Sequence, residues 1–164
     1  MSSPEQSFDL ATIAQLLDRY HRGIALFSEA VWSIPANRVD EPPLPGKWSA
    51  RQIVCHVADC EAVAAVRYRM IAAQPGSMLS AFDQEKWEKE LIYEAQPMAD
   101  ALAAYAAMRL HNVNMLRGLP LGHWARIATH VERGEHTLYR MVEHNATHVE
   151  SHAGQVLAIR DRPA

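Results

Sequence analysis

Between Phe8 and Ile34 the apolar residues Leu10, Ile13, Leu16, Leu17, Tyr20, Ile24, Phe27 and Val31 recur at intervals of three and four, with Leu26 off the stripe. That is the period of one helix face, not strand alternation, and it predicts a first long helix. The following ANRVDEPPLPGK ends it, because its three prolines remove donors and clash with preceding carbonyls. A second helix starts at Ser49, whose hydroxyl can take the amide of Gln52 while Gln52 reaches back in a capping box, with Trp48 placed to staple onto Ile53. It runs from Ala50 to about Ala73 and stops before Pro75-Gly76. The stretch SMLSAFDQEKWEKELIY is less periodic, although Asp83 is placed to cap a short helix carrying Trp87.

A third long helix is predicted from Met98 to Leu119 on Leu102, Tyr105, Met108, Val113, Leu116 and Leu119, with Leu110 beside the stripe and Pro120 and Gly122 beyond its end. After a loop holding Trp124 and the turn residues Arg133-Gly134, Thr137 can cap a fourth helix that reaches about Arg160. Four long helices and no convincing strand alternation predict an all-α bundle, and 164 residues form one domain, 1–164.

Composition narrows the partners. With 49% apolar and 21% charged residues and a net charge of −3, the chain has an ordinary globular make-up, not a disordered or membrane one. Lys and Arg (16) are outnumbered by Asp and Glu (19) and form no dense cluster, so no nucleic-acid partner is expected. No apolar run approaches the roughly 18–20 residues of a spanning helix, and MSSPEQSFDL lacks the basic and apolar regions of a leader. A cytoplasmic protein without a membrane partner is expected. Cys55 and Cys60 lie about 140° apart around a helix, poorly placed to pair and without a zinc or redox spacing.

The candidate chemistry lies in HNATHVESH, which sets His144, His148 and His152 four apart. Residues at that spacing stack one turn above another with Cβ atoms about 5–6 Å apart, so His148 and His152 can converge on one divalent ion. A catalytic zinc-type site wants three protein ligands, so the third must come from another helix. His56, two turns into the second helix among Ile53, Val54 and Val57, is the evident donor. Each residue also has an ordinary reading: a hydrogen-bonded core histidine for His56, chance spacing for the helical pair, and a supporting donor or solvated face for His144. Cys60, one turn after His56, is either a thiol neighbour of the site or a small buried residue. Other templates fit worse: no histidine is followed by Glu, no Glu-x-x-His pair occurs, and there is no Gly-x-Ser-x-Gly elbow.

PGKWSARQIVCHVADCEAVAAVRYRM, then FDQEKW, then HTLYRMVEHNATHVESHAGQV together resemble the DinB-like, or YfiT-like, superfamily of metal-dependent four-helix proteins. The resemblance spans nearly the whole chain and is strongest at the Trp-Ser helix start and at the ending His148, His152, Gln155. It implies an antiparallel four-helix bundle of up-down-down-up type with long loops, and a divalent metal, nickel or zinc, held by His56, His148 and His152. It further implies a metal-dependent enzyme acting on a small molecule, in a family whose members include S-transferases and isomerases that use a low-molecular-weight thiol as co-substrate. Because a bound dication lowers the pKa of a coordinated water or thiol, either hydrolysis or S-transfer is expected. The alternative is a metal-binding, dimerising bundle without catalysis, closed by Cys60 or His144.

Around the site, Asp59 can orient an imidazole or accept a proton, or serve only as a surface residue. Glu150 points away from the helical pair toward solvent. Arg67 and Arg69 are candidates for a substrate carboxylate or for an exposed ion-paired face. A homodimer is expected, with apolar surface around Trp32 or Trp124 to support it.

Overall fold

Side-chain caps set the helix starts. Asp9 accepts the Thr12 amide at 2.7 Å and opens α1 (Leu10–Trp32). The capping box at α2 (Ala50–Ala73) forms in both directions, with Gln52 N to Ser49 Oγ at 3.3 Å and Ser49 N to Gln52 Oε1 at 2.8 Å. Asp83 caps the short α3 (Gln84–Glu90), and Thr137 caps α5 (Leu138–Arg160). Between them α4 runs over Met98–Arg117. These bounds come from a computed structural model that describes residues 8–163; the stretch 1–7, part of the N-terminus read above for a leader, lies outside them.

The long helices α1, α2, α4 and α5 form a bundle in which α1 packs on α4 and α5, and α2 packs on the same two. Directions follow from paired residues. Arg19 meets Glu150 and Ser33 meets Arg160, so α1 and α5 run parallel. Arg51 reaches the Gln96 carbonyl and Arg69 reaches Asn112, so α2 and α4 run parallel as well. Tyr105 donates to the Gly23 carbonyl while Arg117 pairs with Asp18, which makes α1 and α4 antiparallel. The result is the up-down-down-up order, with consecutive α1 and α2 on a diagonal and long crossovers between helices. No helix among the described residues is long and apolar enough to cross a membrane.

The expectation of no strands needs correction. Residues Met78–Leu79 (β1), Ile127–His130 (β2) and Gly134–Thr137 (β3) form a small sheet in the order β1-β2-β3. β1 pairs parallel to β2, and β2 pairs antiparallel to β3, from Ile127 opposite Thr137 to His130 opposite Gly134. Gly134 at φ +75° closes the hairpin turn, a left-handed backbone that glycine adopts without a Cβ clash. Segments of two to four residues are too short to carry an alternation signal. The sheet joins the α2–α3 crossover to the α4–α5 crossover at one place on the bundle.

The core has an apolar half around Leu16, Tyr68, Ile71, Leu116 and Leu138, and another around Phe27, Ile53, Val54, Tyr105 and Val156. Between them lies a buried polar layer. Arg109 and Glu61, with side chains 0% and 2% exposed, pair at 3.5 Å. Glu61 also accepts from the Tyr20 hydroxyl and, at 2.8 Å, from Asn112 Nδ2. Arg109 donates to the Tyr20 carbonyl (2.7 Å), the Tyr105 hydroxyl (3.0 Å) and the Asn145 carbonyl (3.4 Å). All four long helices contribute to this one layer. The core position on α4 thus belongs to Arg109, while Met108 is only partly buried. Trp124 is 1% exposed and cannot support a dimer surface, whereas Trp32 is 64% exposed.

Removing one member of a buried ion pair strands the other charge, at a cost of about 3–5 kcal/mol. Arg109→Met should lower the stability measured by urea unfolding by that amount, and adding Glu61→Met should recover a substantial part of the loss. A double variant as unstable as the single one would contradict this account of the layer.

Candidate metal centre

Helical spacing brings His148 and His152 together on α5, and the packing of α2 against α5 brings His56 to meet them. His148 Nε2 stands 3.0 Å from His152 Nε2 and 3.3 Å from His56 Nε2. The His56 ring lies 5.3 Å and 5.0 Å, centroid to centroid, from the rings of His148 and His152. Two nitrogens each about 2.0–2.1 Å from one tetrahedral ion stand roughly 3.3–3.4 Å apart, a spacing that the His56–His148 pair matches and the His148–His152 pair approaches. Cys60 Sγ is 3.4 Å from His56 Nε2, and His56, Cys60 and His148 present ligand atoms all within 4.8 Å of one another. That grouping leaves out His152. The 3.0 Å approach of His152 to His148 and its edge-on contact with the His56 ring, 5.0 Å between centroids, nevertheless put it beside the same two imidazoles.

The surroundings suit neutral imidazoles. His56 is 2% exposed, and burial followed by the neighbouring His152 pushes its pKa down to about 4. His148 is pushed down to about 3 by burial, then by His152 and His56. Burial also lowers His152, against the opposing effect of its bond to Gln155. With Gln155 Oε1 as acceptor at 2.9 Å, His152 carries its proton on Nδ1 and aims the Nε2 lone pair at His148. The Trp48 ring, 4.8 Å from that of His56, covers the cluster on the α2 side. Burial raises the Cys60 thiol to about 12.

The other expected residues divide. The Asp59 carboxylate accepts the Tyr93 hydroxyl, and among the described residues no hydrogen bond joins it to the three histidines. His144 Nε2 faces Arg133 Nη1 at 3.2 Å, so that nitrogen is turned to the hairpin instead of the cluster. Glu150 is not free in solvent, because Arg19 holds it at 2.5 Å. Arg69 turns inward to Asn112 and the Ala65 carbonyl, while Arg67 faces a cleft.

Two hollows open on the histidines. One of about 290 Å³ reaches His56, Cys60 and His148 past Arg67, His130 and Arg133. Another of about 520 Å³ reaches His152 and Gln155 past Leu44, Trp48 and Ile159. Gln84, at the start of α3, lines both and stands between them. Glu88 of α3 accepts from Gln52 at 2.6 Å, which ties this covering segment to the start of α2.

The DinB superfamily model matches residues 19–156. The chain belongs to the DinB superfamily. Within it, the chain is similar to relatives from Bacillus cereus (strain 03BB102) and Bacillus thuringiensis subsp. konkukian that carry the provisional name of metal-dependent hydrolase. Each is 25% identical over 135 residues, 82% of this chain and 78% of the relative. Among solved structures, YfiT from Bacillus subtilis, provisionally described as a metal-dependent hydrolase with an unusual four-helix bundle topology, superposes with a TM-score of 0.80. It is 19% identical, over 94% of this chain and 91% of that one. The mycothiol-dependent maleylpyruvate isomerase superposes with a TM-score of 0.71 at 11% identity, over 88% of this chain and 60% of that one. At such identities the two structures show a shared fold.

Sequence reasoning missed His130, Arg133 and the hairpin that carries them. The turn Arg133-Gly134 was visible, but only the sheet turns it toward the cluster.

The depressed imidazoles set a pH window for this DinB-superfamily chain when free of metal. Unfolded histidines titrate near 6.5, while His56 and His148 in the fold titrate near 4 and 3. Between those values the unfolded state binds more protons, so folding stability falls as pH falls. Chelator-treated protein should hold its melting temperature from neutrality down to about pH 6.5 and lose it steadily toward pH 4. His148→Gln should flatten part of that slope.

Proposed function

We propose that this chain is a metal-dependent enzyme that holds a divalent cation, nickel or zinc, on His56, His148 and His152 and hydrolyses a small molecule. The observation that carries the reading is the convergence of three imidazoles, kept neutral by burial, with Nε2 atoms 3.0 and 3.3 Å apart. The names of the Bacillus relatives favour hydrolysis over other reactions. When bound, a divalent cation supplies the positive charge that lowers the pKa of a coordinated water or thiol toward neutrality.

The protein's own part is to hold and enclose. Gln155 fixes the tautomer of His152 through Nδ1, and Trp48 limits water around His56. Asp59 enters as a positioning residue: it holds Tyr93, whose main-chain oxygen faces Cys55 Sγ at 3.7 Å, and so fixes the segment after α3 against α2. The hollows on either side of Gln84 leave room for a substrate.

Two further readings each have an observation behind them. The fold likeness to the mycothiol-dependent isomerase supports a thiol co-substrate and S-transfer. Cys60, 3.4 Å from His56 Nε2, supports a closed four-ligand site that only ties α2 to α5, in a homodimer that buries Trp32.

Elemental analysis of untagged protein should find about one nickel or zinc per chain, and His56→Ala should remove it. Hydrolysis of a panel of esters and amides should vanish with chelator and in His56→Ala, at little change in melting temperature. Turnover that appears only with an added thiol would select S-transfer. Metal lost in Cys60→Ser, with no turnover in the parent, would select the closed site. No stoichiometric metal, and no thermal shift on adding zinc or nickel, would defeat all three. Gln155→Ala should weaken metal retention about 10–100-fold in competition with a chelator.

A further inference from the structure

Arg67, His130, Arg133 and His144 line the hollow against the histidines and also line a larger one of about 490 Å³ on its outer side. The two hollows share this basic wall. Arg19 and Arg140, on the outer side, are neutralised by Glu150 at 2.5 Å and Glu143 at 3.1 Å. Arg67 and Arg133 have no such partner: among the described residues neither forms a salt bridge. Glu132 also lines the inner hollow, but it does not pair with either arginine.

The half-buried Arg67 spends Nη2 on the Ser80 carbonyl at 2.6 Å and on His130 Nε2 at 3.1 Å, and no hydrogen bond engages its Nε or Nη1. The bond to His130 is itself contested. The amide of Glu132 donates to His130 Nδ1 at 3.2 Å, and a neutral imidazole has one acceptor nitrogen, so it can satisfy only one of these donors. Arg133 meets His144 Nε2 at 3.2 Å and no anion. Burial and then Arg133 lower the pKa of Arg67, the mark of cations crowded together without a counter-charge. Leaving the half-buried Arg67 guanidinium without a counter-charge is costly, and the planar forks of both arginines match carboxylate and phosphate oxygens.

We propose that Arg67 and Arg133 form an oxyanion-binding subsite beside the histidine cluster, which takes a carboxylate or phosphate group of the substrate. The functional reading above is needed only to call the ligand a substrate, since the anion site itself requires no metal. Selectivity follows from the arrangement: molecules with an anionic group near the bond placed at the histidines are bound, and their neutral analogues are disfavoured.

The test is calorimetric titration of the full chain, metal-loaded and chelated, with inorganic phosphate and with succinate. At least one probe should bind saturably at one per chain in both states, and the tighter probe names the group. Arg67→Met and Arg133→Ala should each weaken it tenfold or more, while Arg67→Lys, which keeps the charge, should retain part. Arg133 is exposed on the hairpin turn, so its loss tests the site even if Arg67→Met fails to fold. Binding that is absent from the parent chain, unchanged in Arg133→Ala, or abolished by chelation would overturn the proposal. Anion binding without stoichiometric metal would defeat the enzymatic reading and leave the subsite standing; metal without anion binding would do the reverse.

Discussion

The buried pair of Glu61 and Arg109 is the constraint on which the arrangement of the helices depends. A guanidinium has a rigid fork, and Arg109 reaches Glu61 on α2, the Tyr20 carbonyl on α1 and the Asn145 carbonyl on α5 at once only in one relative placement of the helices. A charge displaced in the core loses its partners outright and is left buried and unpaired, which makes this layer intolerant of any shift between the helices. Gly23 belongs to the same device: a Cβ there would stand 3.1 Å from Cζ and Nη2 of Arg109, so the absence of a side chain lets α1 approach the guanidinium. His56 lies five residues before Glu61, and His148 three after Asn145. The spacing of imidazoles across α2 and α5 is therefore inherited from the polar layer.

The walls of the site come from the crossovers. The α2–α3 segment supplies Gln84, which stands between two hollows, and the α4–α5 segment supplies the hairpin with His130 and Arg133. These two segments are far apart in sequence and are joined by the parallel pairing of Met78 and Leu79 with Thr129 and His130. The bundle thus presents the histidines, while the small sheet brings His130 and Arg133 to one side of them and the α1–α2 connection brings Leu44 and Trp48 to the other.

Much of this was legible in the residues because it is local. Caps at Ser49, Asp83 and Thr137 depend on side chains within three positions of the amides they satisfy, and the helices begin where those residues stand. The spacing of His148 and His152 follows from the helical turn. The polar layer was legible in principle. Glu61 sits on the stripe Val57, Ala64, Tyr68, and Arg109 on the stripe Leu102, Tyr105, Leu116, so a charge of each sign interrupts a buried face. A stripe read only through its apolar members passes over both. The sheet, the hairpin wall and the burial of Trp124 arise from contacts between distant segments, and no periodicity of two to four residues announces them.

The parallel alignment of α1 with α5 has a consequence for biosynthesis. As the chain leaves the ribosome, the apolar stripe of α1 has no α5 to lie against until more than a hundred further residues have been added. Contacts of such long range close slowly, and an uncovered greasy face in the meantime invites association with other nascent chains. This bundle should rely on chaperones more heavily than one whose successive helices simply fold back on each other.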